Sequence, residues 1–120
     1  MRSILLAAVA LLFAVQAQAG DPQHGKAVFA RCAMCHTDVK NAGNRIGPNL
    51  FAVVGRKAGT FAGYGFSSAM KAFGKAWTPQ ILDTYLAHPG VTVPGTKMSF
   101  AGLSNAKDRA DVISYLQTRK

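Results

Sequence analysis

Two cysteines and a histidine stand together in the stretch Cys32-Ala33-Met34-Cys35-His36. Thiols at this spacing, followed at once by an imidazole, are the attachment pattern of a c-type haem. Each thiol can form a thioether with one of the two haem vinyl groups, and the next residue can then place a ring nitrogen on the iron. The pattern predicts one haem c, bound covalently through Cys32 and Cys35, with His36 as an iron ligand.

The same pair of cysteines is compatible with three other sites. Cys-x-x-Cys occurs in thioredoxin-like oxidoreductases, but no βαβ pattern surrounds it here. It also forms half of many zinc sites, yet Cys32 and Cys35 are the only cysteines in the chain. A disulfide in an oxidising compartment would close a very short loop and stabilise little. The motif alone favours haem and leaves these alternatives open.

Residues 1–19 have the pattern of an export signal. A basic start precedes twelve apolar residues, 4–15, and a small-residue cleavage site ends at Ala19. The apolar run is well short of the roughly 20 residues that cross a bilayer. We expect cleavage between Ala19 and Gly20, which leaves a single domain of residues 20–120 in the periplasm with no membrane span.

Positive charge dominates the expected mature domain. Beyond Ala19, thirteen basic residues face five acidic ones, all of them Asp. Such a balance favours nucleic acid, anionic lipid or an acidic protein surface as a partner. Export argues against nucleic acid, and the basic residues are scattered rather than gathered into an arm. An acidic docking surface is therefore the favoured partner, and a merely solvated surface is the alternative.

Cap signals and apolar spacing predict one all-α domain with long loops. Four helix starts are predicted, at Asp21-Pro22, Ser67, Thr78-Pro79 and Asn105. The first helix is expected to run to about Met34, so that the thiols and His36 lie at its C-terminal end. The second is expected to end at Phe73, and the third before Pro89. Loops are expected over 37–65 and 90–104, and no stretch shows clear strand alternation.

An iron held by His36 either takes a further ligand from another part of the chain or keeps that position open, and methionine is the natural candidate for such a ligand. Met1 leaves with the signal, Met34 lies inside the attachment motif, and Met70 lies in a helical stretch where core packing is the usual role. Met98 lies in 93–100, a loop stiffened by proline and glycine. A thioether held by such a loop suits an axial ligand, so Met98 is favoured.

Several further motifs follow one another in a fixed order. They are Cys32-x-x-Cys35-His36-Thr37, Gly47-Pro48-Asn49-Leu50, Val54-Gly55-Arg56, Trp77, Tyr85-Leu86, Pro94-Gly95-Thr96-Lys97-Met98-x-Phe100-Ala101-Gly102 and Arg109-x-Asp111-Val112-Ile113-x-Tyr115-Leu116. On these residues the whole region from Gly20 onward resembles class I cytochrome c, both the mitochondrial type and its bacterial periplasmic relatives. The resemblance implies a small all-α fold of helices and long loops wrapped around one covalent haem.

The resemblance also implies roles for the residues at the iron. Cys32 and Cys35 would form the thioethers. His36 would be the proximal ligand and Met98 the distal one. Pro48 would offer its backbone carbonyl to the His36 ring N–H, a bond that fixes the tautomer of a ligating imidazole.

A second group of residues is implied around the haem edge. The Tyr85 hydroxyl would point toward the Met98 sulfur. Donors to the haem propionates would come from Arg56, Trp77 and Thr96. Two positions depart from the family pattern and bear on the reduction potential, namely Phe66 in place of a frequent tyrosine and Met70 in place of a frequent asparagine.

By the same resemblance the protein would be a soluble, monomeric one-electron carrier and not an enzyme. It would link a membrane donor of the quinol–cytochrome c oxidoreductase type to a terminal oxidase or a reaction centre. Two rival functions are weighed. A loosely held Met98 would admit peroxide or a gas, as in an enzyme or sensor, and the residues Cys32, Cys35, His36 and Met98 could instead form a copper module.

Overall fold

The computed structural model describes residues 20–120, and the predicted export signal, 1–19, lies outside the described residues. Five helices follow in chain order: α1 (Pro22–Phe29), α2 (Ser68–Phe73), α3 (Pro79–Ala87), α4 (Pro89–Thr92) and α5 (Ala106–Gln117). Strand-like pairing in this region is limited to one isolated bridge between Lys57 and Ala76. The prediction of an all-α domain is confirmed. None of the described helices is long and apolar enough to cross a membrane.

Side-chain caps begin four of these helices, and the capping residues are Asp21, Ser67, Thr78 and Asn105. In each case a side-chain oxygen accepts a hydrogen bond from a backbone N–H of the first turn, which would otherwise have no partner inside the helix. Prolines at the start of α1 and α3 lack an N–H that the first turn leaves unpaired in any case. The four predicted helix starts are therefore confirmed.

Two helix boundaries differ from the sequence prediction. Regular α1 ends at Phe29, well before Met34, because the backbone then tightens: Cys32 N donates to the Phe29 carbonyl three residues back, at 2.8 Å. The chain continues as turns to Cys35. The loop predicted over 90–104 also contains the end of α4, since a proline at a first helical position allows a new turn to start there.

The core forms where α1 crosses α5. A Cβ atom on Gly25 of α1 would lie 1.9 Å from the Asp111 carbonyl oxygen of α5, so only glycine permits this approach. The buried apolar side chains of the two helices are Val28, Phe29, Val112, Ile113 and Leu116. A second layer stacks Trp77 between Phe73 and Tyr85, with ring centroids 5.6 and 4.9 Å apart.

Candidate haem site

The attachment motif lies on the turns that follow α1. Cys35 N and His36 N both donate to the Cys32 carbonyl, at 3.0 and 2.9 Å, so one turn carries all three side chains. Both thiols are free and half-buried. Burial raises the pKa of the Cys32 thiol from 9.0 to about 11, against a smaller opposing effect of Arg31. Such a thiol is protonated at neutral pH, unlike the low-pKa nucleophile of a thioredoxin-like enzyme.

The His36 ring is held by the loop that contains Pro48. Its Nδ1 lies 2.7 Å from the Pro48 carbonyl oxygen, the contact that the family resemblance implies. Because a carbonyl only accepts, Nδ1 carries the proton and Nε2 keeps a lone pair. Gly47 makes room for the ring, since a Cβ there would lie 2.3 Å from His36 Cε1. Burial lowers the pKa of His36, which favours the neutral imidazole that a metal needs.

The same loop is tied to the attachment motif at several points. Gly47 N donates to the Cys35 carbonyl at 2.8 Å, and Leu50 N donates to the Thr37 carbonyl at 2.8 Å. Arg45 Nη1 donates to the Ala33 carbonyl at 2.6 Å. This contact of Arg45 was missed at the sequence level, because Arg45 there counted only as one of the scattered surface charges.

Asn49 is a second residue that sequence reasoning left without a role. Only 2% of it is exposed. Its Nδ2 donates to the Val39 carbonyl at 2.8 Å, and its Oδ1 accepts from Phe51 N at 2.8 Å. Asn49 directly follows Pro48 in the motif Gly47-Pro48-Asn49-Leu50, and this position was the one sequence feature that could have indicated its role.

Met98 is half-buried and packs against the core. Its backbone N–H donates to Thr96 Oγ1 at 3.3 Å, and its carbonyl accepts from Phe100 N at 3.0 Å. Thr96 N in turn donates to the Val93 carbonyl at 2.9 Å. The thioether is thus carried by a loop with its own hydrogen bonds rather than by a helix.

The expected contact of Tyr85 with the Met98 sulfur is not the one formed. The Tyr85 hydroxyl lies 2.8 Å from Thr96 Oγ1 instead. A hydroxyl oxygen is a stronger hydrogen-bond partner than a thioether sulfur, which explains the preference. Tyr85 is therefore linked to the backbone of Met98 through Thr96, whose hydroxyl also accepts from Met98 N. The Thr96 hydroxyl, implied as a donor to a haem propionate, is bonded to Tyr85 in the structure.

Arg56 is a cation without a carboxylate partner. Its Nη1 and Nη2 donate to the carbonyls of Asn49 and Phe51, at 2.8 and 2.6 Å. Within residues 20–120 no carboxylate lies within 4.0 Å of the guanidinium. Burial lowers the pKa of Arg56 because it disfavours the charged form. A half-buried positive charge of this kind suits an anionic group such as a haem propionate.

The backbone of Trp77 is joined to that of Arg56. The two residues are linked through their backbones, with Trp77 N donating to the Arg56 carbonyl at 2.8 Å, and Trp77 is buried with 7% exposed. Tyr64, close to Phe66 in the chain, donates its hydroxyl to the Ile46 carbonyl at 2.9 Å. Its ring meets that of Phe66 edge to face, with centroids 4.8 Å apart.

The residues present fit a c-type haem. Paired thiols stand beside an imidazole whose Nδ1 is bonded to Pro48 and whose Nε2 keeps its lone pair. The Arg56 guanidinium, bonded to two backbone carbonyls but to no carboxylate of residues 20–120, is available for an acidic edge. Across 20–120, no three His, Cys, Asp or Glu side chains are grouped so as to hold a metal ion.

Comparison with known proteins gives a consistent result. The family model described as Cytochrome c matches residues 22–120. Cytochrome c2 of Rhodopila globiformis is 47% identical over 102 residues, covering 84% of this chain and 95% of that protein. Cytochrome c2 of Rhodomicrobium vannielii is 46% identical over 122 residues, covering 99% and 98%. The solved structure of cytochrome cH from Methylobacterium extorquens aligns with a TM-score of 0.78 and 45% identity, covering 82% and 99%.

Proposed function

Because the chain belongs to the cytochrome c family, we propose that it carries single electrons on one haem bound through Cys32 and Cys35. Members of this family are electron carriers rather than enzymes, as the sequence motifs predicted. When bound, the haem iron supplies a ferric–ferrous couple. The protein's own residues would hold the group, supply its two axial ligands and limit access of water.

The contact between His36 and Pro48 carries the ligation proposal. A neutral imidazole with its proton held on Nδ1 presents Nε2 as the only lone pair, and the 2.7 Å bond to the carbonyl fixes its plane. The ring lies directly against Gly47, where a Cβ atom would be 2.3 Å from His36 Cε1. The side chain thus has the tautomer that a metal ligand needs.

Met98 is proposed as the second axial ligand. His36 and Met98 would together supply the two protein ligands of the iron, which would leave no coordination site open to a substrate. Methionine ligation raises the reduction potential relative to harder ligands. The loop bonds of Thr96 and Tyr85 hold the Met98 backbone in place, so the same ligand set can serve both oxidation states.

A visible spectrum of the haem-loaded protein tests this ligation. We expect a weak far-red sulfur-to-iron band in the oxidised form and no response of the reduced form to carbon monoxide. Met98→Ala should abolish the band and admit carbon monoxide. Met34→Ala is the matched control, because Met34 is 73% exposed and lies in the attachment motif. A parent protein that binds carbon monoxide readily would favour an enzyme or sensor instead.

The distribution of charge supports an acidic partner. All five carboxylates of residues 20–120 lie on α5 or beside it. Asp108 and Asp111 belong to the helix, and the backbone N–H of Asp21 donates to Asp111. The other two form ion pairs, Asp38 with Arg119 and Asp83 with Arg109. Besides those two arginines, Lys107 is the only basic residue of 20–120 that pairs with a carboxylate, if histidine is left aside. The remaining positive charge is therefore free to attract a negative surface.

The proposed partners are redox proteins with acidic docking surfaces, a quinol–cytochrome c oxidoreductase type of donor and a terminal oxidase or reaction centre as acceptor. Steered association of this kind slows as salt screens the charges. Stopped-flow reduction by an acidic redox protein should therefore slow as ionic strength rises, with the carrier behaving as a monomer in gel filtration. A rate independent of ionic strength would contradict the steering.

Localisation in the periplasm is proposed from the pattern of residues 1–19. Intact mass of the protein recovered from the periplasm should equal residues 20–120 plus one haem. A mass that still includes residues 1–19 would contradict cleavage after Ala19. The same measurement counts the haem groups, since two thioethers to one haem add a single increment.

A further inference from the structure

Side chains at the C-terminal end of α5 are bonded to the segment that follows His36. The Tyr115 hydroxyl donates to Asp38 Oδ2. Arg119 Nε lies 3.3 Å from the same oxygen, and Arg119 Nη2 donates to the Asp38 backbone carbonyl at 3.2 Å. Two side chains from α5 and its end therefore hold one residue, two positions beyond His36, by both its carboxylate and its backbone.

Arg119 also holds the loop that contains Pro48. Its backbone carbonyl accepts a hydrogen bond from Ala52 N at 2.6 Å. Ala52 has a φ of 58°, a left-handed conformation that a non-glycine residue keeps only where its surroundings hold it. Leu50 N donates to the Thr37 carbonyl at 2.8 Å, which joins the two segments directly. Arg119 thus bridges both pieces of chain that meet at the His36 ring.

Tyr115 reaches the attachment motif from its other side as well. Its ring packs against Phe29, with centroids 5.4 Å apart. The Phe29 carbonyl accepts from Cys32 N at 2.8 Å, at the start of the motif. Tyr115 therefore contacts the chain before the motif through Phe29 and after it through Asp38.

We propose that Tyr115 and Arg119 are positioning residues for the axial imidazole: by clamping Asp38 and the Pro48 loop, they set the plane of the His36 ring. The bond between His36 and Pro48 fixes the ring only while the two segments keep their relative position. The clamp supplies that position from outside the loop. This inference rests on the proposed function, because the plane of the ring matters to the iron it binds.

Three variants of the haem-loaded protein test the clamp. Tyr115→Phe keeps the ring and its packing on Phe29 and removes only the hydroxyl that reaches Asp38. Arg119→Lys keeps the charge but loses the planar pair of nitrogens that contacts Asp38 Oδ2 and the Asp38 backbone carbonyl. Lys120→Ala is the matched control, because it removes a neighbouring positive charge that is exposed and makes no ion pair among the described residues.

The readouts are the hyperfine-shifted proton resonances of the His36 ring and haem methyls in the oxidised protein, and amide hydrogen exchange at Leu50 and Ala52. Tyr115→Phe and Arg119→Lys should each shift the resonances and speed exchange at both amides roughly five- to tenfold, the effect of one lost hydrogen bond. The Lys120→Ala control should change neither.

Two results overturn the inference in distinguishable ways. If the parent protein contains haem but both clamp variants keep the parent resonances and exchange rates, the clamp is structural only, even if the variants unfold more easily. If the parent protein gives no haem signal in a pyridine haemochrome assay, the proposed function fails and the inference fails with it.

Discussion

The helix pair α1–α5 and the loop over 37–66, here called the site loop, are held by different kinds of contact. The helix pair buries a row of apolar side chains, and one close backbone approach at Gly25 lets the helices meet. The site loop contains no α-helix, and side-chain bonds to backbone carbonyls hold much of it in place. The first region is specified by many similar contacts, and the second by a few individual ones.

This difference predicts where damage spreads. A poor contact in the helix pair should weaken the whole fold, because the two helices share one core and the domain is too small to have another. A lost contact in the site loop should release only the residues tied by that bond. Since His36 depends on the loop through Pro48, such local damage should reach the iron ligand before it reaches the fold.

The largest effect is expected at the helix crossing. Gly25→Ala adds one carbon 1.9 Å from the Asp111 carbonyl, and because the obstacle is backbone the helices must separate. We expect the free energy of unfolding to fall by about 3 kcal/mol, despite the better helix propensity of alanine. The same change at Gly90 of α4, where nothing lies within 4 Å of the added carbon, is the control and should change it by less than about 1 kcal/mol. Guanidinium denaturation of both variants measures the contrast, and equal effects would contradict it.

A smaller and more local effect is expected in the site loop. Asn49→Ala removes the amide that bonds to the Val39 carbonyl and to Phe51 N, and it leaves polar groups without partners. The cost should be about 2 kcal/mol. Gln80→Ala, at an exposed position of α3, should cost less than about 0.5 kcal/mol. Hydrogen exchange would show whether the damage stays within the loop, and exchange that also rises throughout α5 would contradict the comparison.

Sequence patterns predicted the helix pair better than the site loop. Cap residues and apolar spacing are repeated signals, so the four helix starts at Asp21, Ser67, Thr78 and Asn105 were predicted correctly. The end of α1 and the short helix α4 were not predicted. The end of α1 depends on a change from hydrogen bonds between residues four apart to bonds between residues three apart, and no residue type in the sequence marks that change.

Within the site, too, single contacts between distant residues were harder to predict than repeated patterns. The bond from His36 to Pro48 was anticipated through the family resemblance, and the structure contains it. The Tyr85 hydroxyl, which the resemblance places toward the Met98 sulfur, is bonded to Thr96 in the structure. Two possible partners stand two positions apart in one loop, and spacing does not choose between them. Asn49 and Arg45 had no predicted role, because a single side-chain bond to a carbonyl ten or more residues away produces no repeating pattern in the sequence.

Acid should weaken the helix pair through Asp111. Its carboxyl has a pKa lowered from 3.8 to about 2, first by the Lys107 ammonium and next by the N–H of Asp21. A group with a lowered pKa in the folded state stabilises it above the unfolded value and loses this contribution as the pH falls through the folded one. The free energy of unfolding should therefore decrease between about pH 4 and pH 2.

Asp111→Asn is the variant that isolates this effect. It should have a lower denaturation midpoint than the parent at pH 6, and the difference should shrink as the pH approaches 2, because the parent then carries a protonated carboxyl as well. Denaturation midpoints at both pH values measure it. A difference that stays constant over this range would show that the ionisation of Asp111 does not contribute to it, and would contradict the prediction.

The smallest effect separates two partners of Tyr85 and belongs to the distal side of the site. Tyr85→Phe removes a buried hydroxyl whose hydrogen bond is to Thr96, so the free energy of unfolding should fall by about 1 kcal/mol. Thr96→Val removes the same bond from the other end. If the two residues are partners, the double variant should lose less than the sum of the single losses, whereas Tyr85→Phe combined with Met98→Ala should be closer to additive. Additive losses in the Tyr85–Thr96 pair would contradict their partnership and favour a hydrogen bond from the Tyr85 hydroxyl to the Met98 sulfur. The distal ligand would then be held directly rather than through its loop.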